Sequence, residues 1–180
     1  VVFERSGYIS YANCGLPYYI GGVIEDPEDL TLLTPESFFS RFHIHMKVHH
    51  EVTAIHPDSK TVSVKNLETG EIFEESYDKL LLSPGAKPVW PNLPGMNSDK
   101  LFTLRTVEDT FRIKEFVDQQ RPKSAVMVGG GFIGLEVAEN LRELGMEVTI
   151  VQRPKQLMNP FDADMAAFIH GEVRKHGVQL

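Results

Sequence analysis

Residues 125–153 read AVMVGGGFIGLEVAENLRELGMEVTIVQR. An apolar run, Ala125 to Val128, meets three consecutive glycines. Behind them, Ile133, Val137, Leu141 and Leu144 recur at the spacing of one helix face. A second apolar run, Val148 to Val151, follows. Gly129-x-Gly131-x-x-Gly134 is weak evidence in isolation, but between a strand and a helix that leads to another strand it reads as a dinucleotide-binding fingerprint. The first glycine permits the tight turn and the second lets the backbone approach a diphosphate. The third lets helix and strand pack closely, and the diphosphate sits on the helix N-terminus. Val128, Gly129, Gly130, Gly131 and Gly134 are therefore candidate NAD(P)-binding residues.

The end of the second strand chooses between nucleotides. An acid there binds the adenosine ribose of NAD and repels the extra phosphate of NADP. Here stands Gln152, followed by Arg153 and Lys155. The amide can bond a ribose hydroxyl without repelling phosphate, and the cations can accept a 2′-phosphate.

Outward from this unit, the chain is ordinary for a globular protein: 180 residues, 42% apolar and 24% charged. The formal net charge of −7, with no Lys/Arg block, argues against nucleic acid or an anionic membrane as partner. No apolar run approaches the ~20 residues of a membrane span. One cysteine, Cys14, gives no disulfide framework, so a reducing, cytoplasmic setting is expected. The opening VVFER and the closing HGVQL read as cut ends of a longer protein.

Thr34-Pro35-Glu36 starts a helix running to about Phe42, and Thr106-Val107-Glu108-Asp109 another to about Gln119. HIHMKV, EVTAI, TVSVKN, EIFEE and YDKLLL, from Ile44 to Leu82, read as an antiparallel meander. A proline-rich connection, Pro88 to Gly95, follows, in which Trp90 is expected to pack. The polar linker Gln119 to Lys123 precedes the glycine unit. A last helix, about Ala163 to Lys175, stops at Gly177. His43 and His45 would share a strand face, and without further ligands they are read as solvated, with no metal site. Met146 and Met158 are read as apolar fillers.

VVFER then reads as the second strand of another dinucleotide unit, with Glu4 in the ribose position. The expected fold is α/β, with two Rossmann-like units, the first interrupted by the meander and both incomplete. Residues 1–121 would form an FAD-binding domain and 122–180 an NAD(P)-binding domain. SYANCGLPYYIGG resembles the S-F-x-N-C-x-L-P-Y segment of coenzyme A-disulfide reductases, within the pyridine nucleotide-disulfide oxidoreductase class, including rhodanese-fused members. VHHEVTAI, YDKLLLSPGAKP, LFTLRTVED and GGGFIGLE extend the likeness over the whole chain.

The resemblance implies that Cys14 is the redox thiol beside FAD, with Ser10 and Asn13 on the coenzyme A side. Glu4 and Arg5 would meet the FAD adenosine, Val52 the adenine, and Ser83, Pro84 and Gly85 would close over the flavin nucleotide. Glu136, with Phe132 and Ile133, would border the nicotinamide. Two departures stand out. Gln152 replaces the usual acid, and Arg41, followed by Phe42, is the nearest candidate for a basic coenzyme A contact. The resemblance also implies a homodimer, and a segment that is inactive by itself.

Two-cysteine relatives carry C-x-x-x-x-C, whereas here the fifth residue after Cys14 is Tyr19. The second sulfur must come from substrate: Cys14 thiolate attacks a coenzyme A disulfide or persulfide, and hydride from NADH or NADPH passes through FAD to the mixed disulfide. Small neighbours and a helix starting near Pro17 suit a reactive thiolate. A sulfenate at Cys14 would instead serve an NADH oxidase or peroxidase. A regulatory nucleotide-binding module would bind nucleotide without turnover and would not need Cys14. The prediction for the nucleotide is NADH use with NADPH tolerated. Steady-state kinetics on the full-length protein check it, and a preference for NADH beyond about a thousandfold, ~4 kcal/mol, contradicts it.

Overall fold

Two short parallel ladders and one antiparallel sheet carry the strands of this computed structural model, which describes residues 1–90 and 92–180. In chain order the elements are β1 (Val2–Phe3), α1 (Leu16–Gly21), α2 (Pro35–Phe42), β2 (Met46–Lys47), β3 (His50–His56), β4 (Thr61–Asn66) and β5 (Ile72–Ser76). Then follow α3 (Val107–Gln120), β6 (Ser124–Val128), α4 (Phe132–Glu143), β7 (Glu147–Val151) and α5 (Ala163–Lys175). They fall into two compact units, Val1–Ala12 with Thr31–Lys87, and Asn13–Leu30 with Pro88–Leu180.

In the first unit, β1 pairs in parallel with β2, Val2 opposite Met46. The sheet β3-β4-β5 is antiparallel, with a bulge between Val52 and Ala54. The alternation of TVSVKN is why β4 buries Val62 and Val64 on one face. Asn66 then turns the chain: its Oδ1 accepts from the Glu68 and Thr69 amides at 2.9 and 3.1 Å, and Gly70 takes φ +77°. Thr34 caps α2 through a reciprocal bond pair with Ser37.

The meander is smaller than the sequence suggests. His43 does not enter a strand: it takes φ +56° as the C-cap of α2 and donates its N–H to the Phe39 carbonyl at 2.8 Å. His43 and His45 thus share no strand face; both rings lie against Phe39 instead. Only Met46 and Lys47 of HIHMKV form a strand, and it is parallel to β1. YDKLLL forms no strand, and Leu81 is 87% exposed. Three adjacent leucines lack the alternation of a one-sided sheet. They suit a strand covered on both faces, and no described strand pairs with them.

In the second unit, β6 and β7 pair in parallel from Ser124–Glu147 to Val128–Val151. Val137, Ala138 and Leu141 of α4 meet Val148 and Ile150 of β7, with Ile20, Val117, Met146, Leu157 and Val178 completing the core. Met146 and Met158 are buried fillers, as read. Two of the four expected helix-face residues stay out of the core, since Ile133 is 52% exposed and Leu144 is also exposed. Trp90 is 51% exposed rather than packed, in a connection that forms no helix or strand; Pro91 lies outside the described residues. Thr106 and Asp109 close a capping box on α3, and Gly177 ends α5 with φ +77°. Among the described residues, no helix is long and apolar enough to cross a membrane.

α1 packs on α3 and α4. At its last residue, Gly21, a Cβ would run into the Asn140 side chain of α4. Asn140 is 2% exposed and is tied to the Glu136 carbonyl through Nδ2 at 2.8 Å, so it has little room to yield. Gly21→Ala is expected to cost about 1–3 kcal/mol by overpacking and to lower the thermal unfolding midpoint. Adding Asn140→Ala recovers part of the loss, as a double-mutant cycle followed by calorimetry would register.

Candidate functional site

Cys14 sits in a single 3-10 turn, Asn13–Gly15, which runs directly into α1. Leu16, Pro17 and Ile20 are buried and anchor that helix, whereas Cys14 is exposed. Between these residues and the first turn of α4 lies a cavity of about 270 Å³, lined among others by Asn13, Cys14, Arg105, Phe132, Ile133 and Glu136. Residues some 120 positions apart in sequence thereby share one space. Ile133, absent from the core, is spent here. Tyr19, at the position of a second cysteine, packs edge-on against Phe111 with ring centroids 5.5 Å apart.

Arg105 is a member of this site that sequence reasoning missed. Its Nη1 donates to Asn13 Oδ1 at 3.3 Å. Its backbone N–H and that of Thr106 donate to Asp109 Oδ2 at 3.0 and 3.2 Å, so the cap of α3 also orients Arg105. The available signal was its place immediately before that cap in LFTLRTVED.

The glycine turn has the expected anatomy. Gly129 takes φ +110°, a conformation that requires glycine. A Cβ at Gly134 would run into the Gly129 carbonyl oxygen, whereas one at Gly131 would meet nothing within 4 Å. Gly131 caps α4 without any side-chain bond to the helix N-terminus. An open space beside uncapped backbone N–H groups fits a diphosphate. At the end of β7, Gln152 reaches back to this turn: its Oε1 accepts from the Gly130 N–H at 2.7 Å. Arg153 and Val128 are exposed.

The remaining candidates belong to the first unit. Glu4 Oε1 accepts from the Ser6 N–H at 2.7 Å, Arg5 pairs with Glu51 at 3.7 Å, and the Glu4 carbonyl accepts from His50 N–H at 3.0 Å. Glu4, Arg5 and the start of β3 leading to Val52 are thus brought together. Ser83, Pro84 and Gly85 lie exposed in the irregular segment after β5. Ser10 accepts from the Leu32 N–H at 3.0 Å through its carbonyl, and the Arg41 guanidinium lies over the Phe42 ring, 5.2 Å from its centroid. Ser10 and Arg41 are in the first unit, Asn13 and Cys14 in the second. Among the described residues, no three His, Cys, Asp or Glu side chains gather as a metal site would need.

A family model for pyridine nucleotide-disulphide oxidoreductases matches residues 1–180. The chain belongs to that family. It is 45% identical to coenzyme A disulfide reductase of Staphylococcus haemolyticus over 172 residues, 96% of this chain and 38% of the relative. It is similar to the crystal structure of reduced Bacillus anthracis CoADR-RHD, with TM-score 0.96 and 50% identity, over 99% of this chain and 32% of that one. The NAD-dependent persulfide reductase of A. fulgidus matches with TM-score 0.92 and 32% identity, over 99% and 33% of the two chains. The chain spans about two-fifths of the length of the curated relatives it matches.

In this chain the turn makes separable demands on its glycines. Gly131→Ala adds a methyl to empty space, so the unfolding midpoint should stay within about 2 °C. The same methyl occupies the ground a diphosphate would need, so NAD⁺ or NADP⁺ binding should weaken at least about tenfold, a loss of ~1.4 kcal/mol. Scanning calorimetry of the full-length protein checks the first half and calorimetric titration the second; unchanged binding would place the nucleotide elsewhere.

Proposed function

We propose that this chain supplies the redox cysteine and the nucleotide-binding units of a flavoprotein that reduces coenzyme A disulfide or a coenzyme A persulfide with NADH or NADPH. The observation that carries the reading is the exposed Cys14 thiol in one cavity with Phe132, Ile133 and Glu136, the residues that open the helix behind the glycine turn. The names of the Staphylococcus and A. fulgidus relatives support the substrate class.

Residues 1–121 would hold FAD and 122–180 NAD(P). Glu4, an acid at the end of a parallel strand, would meet the ribose, as acids at that position do in dinucleotide units, and Arg5, Val52 and Ser83 to Gly85 lie in the same unit. Val128 to Gly134, Glu136 and Arg153 would meet the nicotinamide nucleotide, with Gln152 beside them at the end of β7. Ser10, Asn13 and Arg41 would meet the coenzyme A moiety. The reading extends to a homodimer in a reducing cytoplasm, where a lone exposed thiol stays reduced.

The flavin and nicotinamide, when bound, supply two electrons. What the protein's own residues do is sulfur chemistry. Cys14 Sγ, as thiolate, attacks one sulfur of R–S–S–R, and the second sulfur leaves as RS⁻. The mixed disulfide Cys14–S–S–R takes up two electrons and one proton, which returns the Cys14 thiolate and releases RSH. Asn13 and Gly15 add little bulk around the thiol, and Tyr19 forecloses the disulfide of a C-x-x-x-x-C pair.

The intact mass of the full-length protein as purified, before and after reductant and beside Cys14→Ser, tests this reading. A reductant-labile addition equal to one coenzyme A, absent from the variant, is expected. One or two added oxygens on Cys14 without coenzyme A would replace the mixed disulfide by sulfenate chemistry, that of an oxidase or peroxidase.

A further inference from the structure

Both backbone polar groups of Gly130 are engaged by the segment that follows β7. Its N–H donates to Gln152 Oε1 at 2.7 Å, and its carbonyl accepts from the Met158 N–H at 2.8 Å. The other end of the same carboxamide, Gln152 Nε2, donates to the Gln156 carbonyl at 3.1 Å. Gln156 Nε2 in turn donates to the Phe161 carbonyl at 2.7 Å. Leu157 is buried where Gly130 has no side chain, and a Cβ on Gly130 would run into its Cδ2. The Leu157 N–H donates to His170 Nε2 on α5 at 2.8 Å. Residues 152–161 are thus fastened to the glycine turn on one side and to α5 on the other.

Only a side chain that accepts at one atom and donates at the next makes both Gln152 bonds. A carboxylate could accept from Gly130, but it would face the Gln156 carbonyl with a second acceptor. With both ends of the amide engaged inside the protein, Gln152 behaves as a strut.

We propose that Gln152 is a positioning residue that holds the glycine turn in its phosphate-cradling form for NADH and NADPH alike. This rests on the reading that the turn binds a nicotinamide nucleotide. It goes beyond that reading in giving the residue at the end of β7 a role inside the protein, as the brace of the turn.

The test uses the full-length protein and equilibrium binding of NAD⁺ and NADP⁺ by calorimetry, with amide exchange of the Gly130 peptide measured in the absence of nucleotide. Gln152→Ala should weaken both nucleotides about tenfold and by the same factor, and speed exchange at Gly130. Gln152→Glu, which keeps the acceptor for Gly130 but sets a second acceptor against the Gln156 carbonyl, should leave exchange at Gly130 between that of the parent and that of Gln152→Ala. If Gln152→Ala weakens one nucleotide only, the amide reads the ribose directly and the strut is overturned. Unchanged exchange at Gly130 in Gln152→Ala overturns it as well. A parent protein that binds neither nucleotide removes the underlying reading of the turn, and is distinguishable because no variant is then needed.

Discussion

Gly134 lies so close to the carbonyl oxygen of Gly129 that no side chain fits between them. That approach brings the first turn of α4 onto the end of β6 and turns its unbonded N–H groups toward open space. From there the arrangement of the second unit propagates. α4 lays Val137, Ala138 and Leu141 on the paired strands, and its Asn140 receives Gly21 of α1. Since α1 grows out of the turn that carries Cys14, the contact between two helices fixes where the sulfur stands relative to Phe132, Ile133 and Glu136. A methyl group at Gly134 would therefore be felt at Cys14.

The exposed cysteine follows from the burial of its neighbours. Free cysteine is among the residues most often buried, yet here Leu16, Pro17 and Ile20 take the interior positions and Cys14 does not. A helix of six residues cannot hold itself in water. Its three apolar anchors and the Gly21–Asn140 contact hold it, and the 3-10 turn in front is carried along. The thiol gains a defined place without being packed, as the proposed attack on a second sulfur would need.

Signals made by neighbours in sequence were legible. The Thr34 and Thr106 caps, the alternation in β4, the Gly177 stop and the glycine turn all appear where the residues put them, because each is a contact between positions two to five apart. What the sequence concealed depends on remote partners. HIHMKV has strand composition, but His43 in the left-handed region closes α2 and leaves two residues to pair with β1. YDKLLL has strand composition without the alternation of a meander. Arg105 reads as an ordinary residue before a helix until Asn13, 92 positions away, is placed beside it. For Gln152 the place at the end of the second strand was legible, but not the bond to Gly130, because nothing in a glutamine tells which of its two ends the fold will use.

The cavity at Cys14 draws on three separate segments, and each is stiffened locally before it is brought to the others. Pro17 and buried Leu16 set the direction of 13–17, the Thr106–Asp109 box holds the backbone of Arg105, and the glycine turn sets 132–136. Ordering each segment by its own short-range bonds reduces the conformational entropy still to be lost when the three meet. It also makes the site tolerant of sequence change on the far faces of the helices, since those faces do not set the three local geometries. The motifs that can be read from the chain are therefore the parts of the site that had to be rigid in advance, and the cavity itself is the product of long-range packing between them.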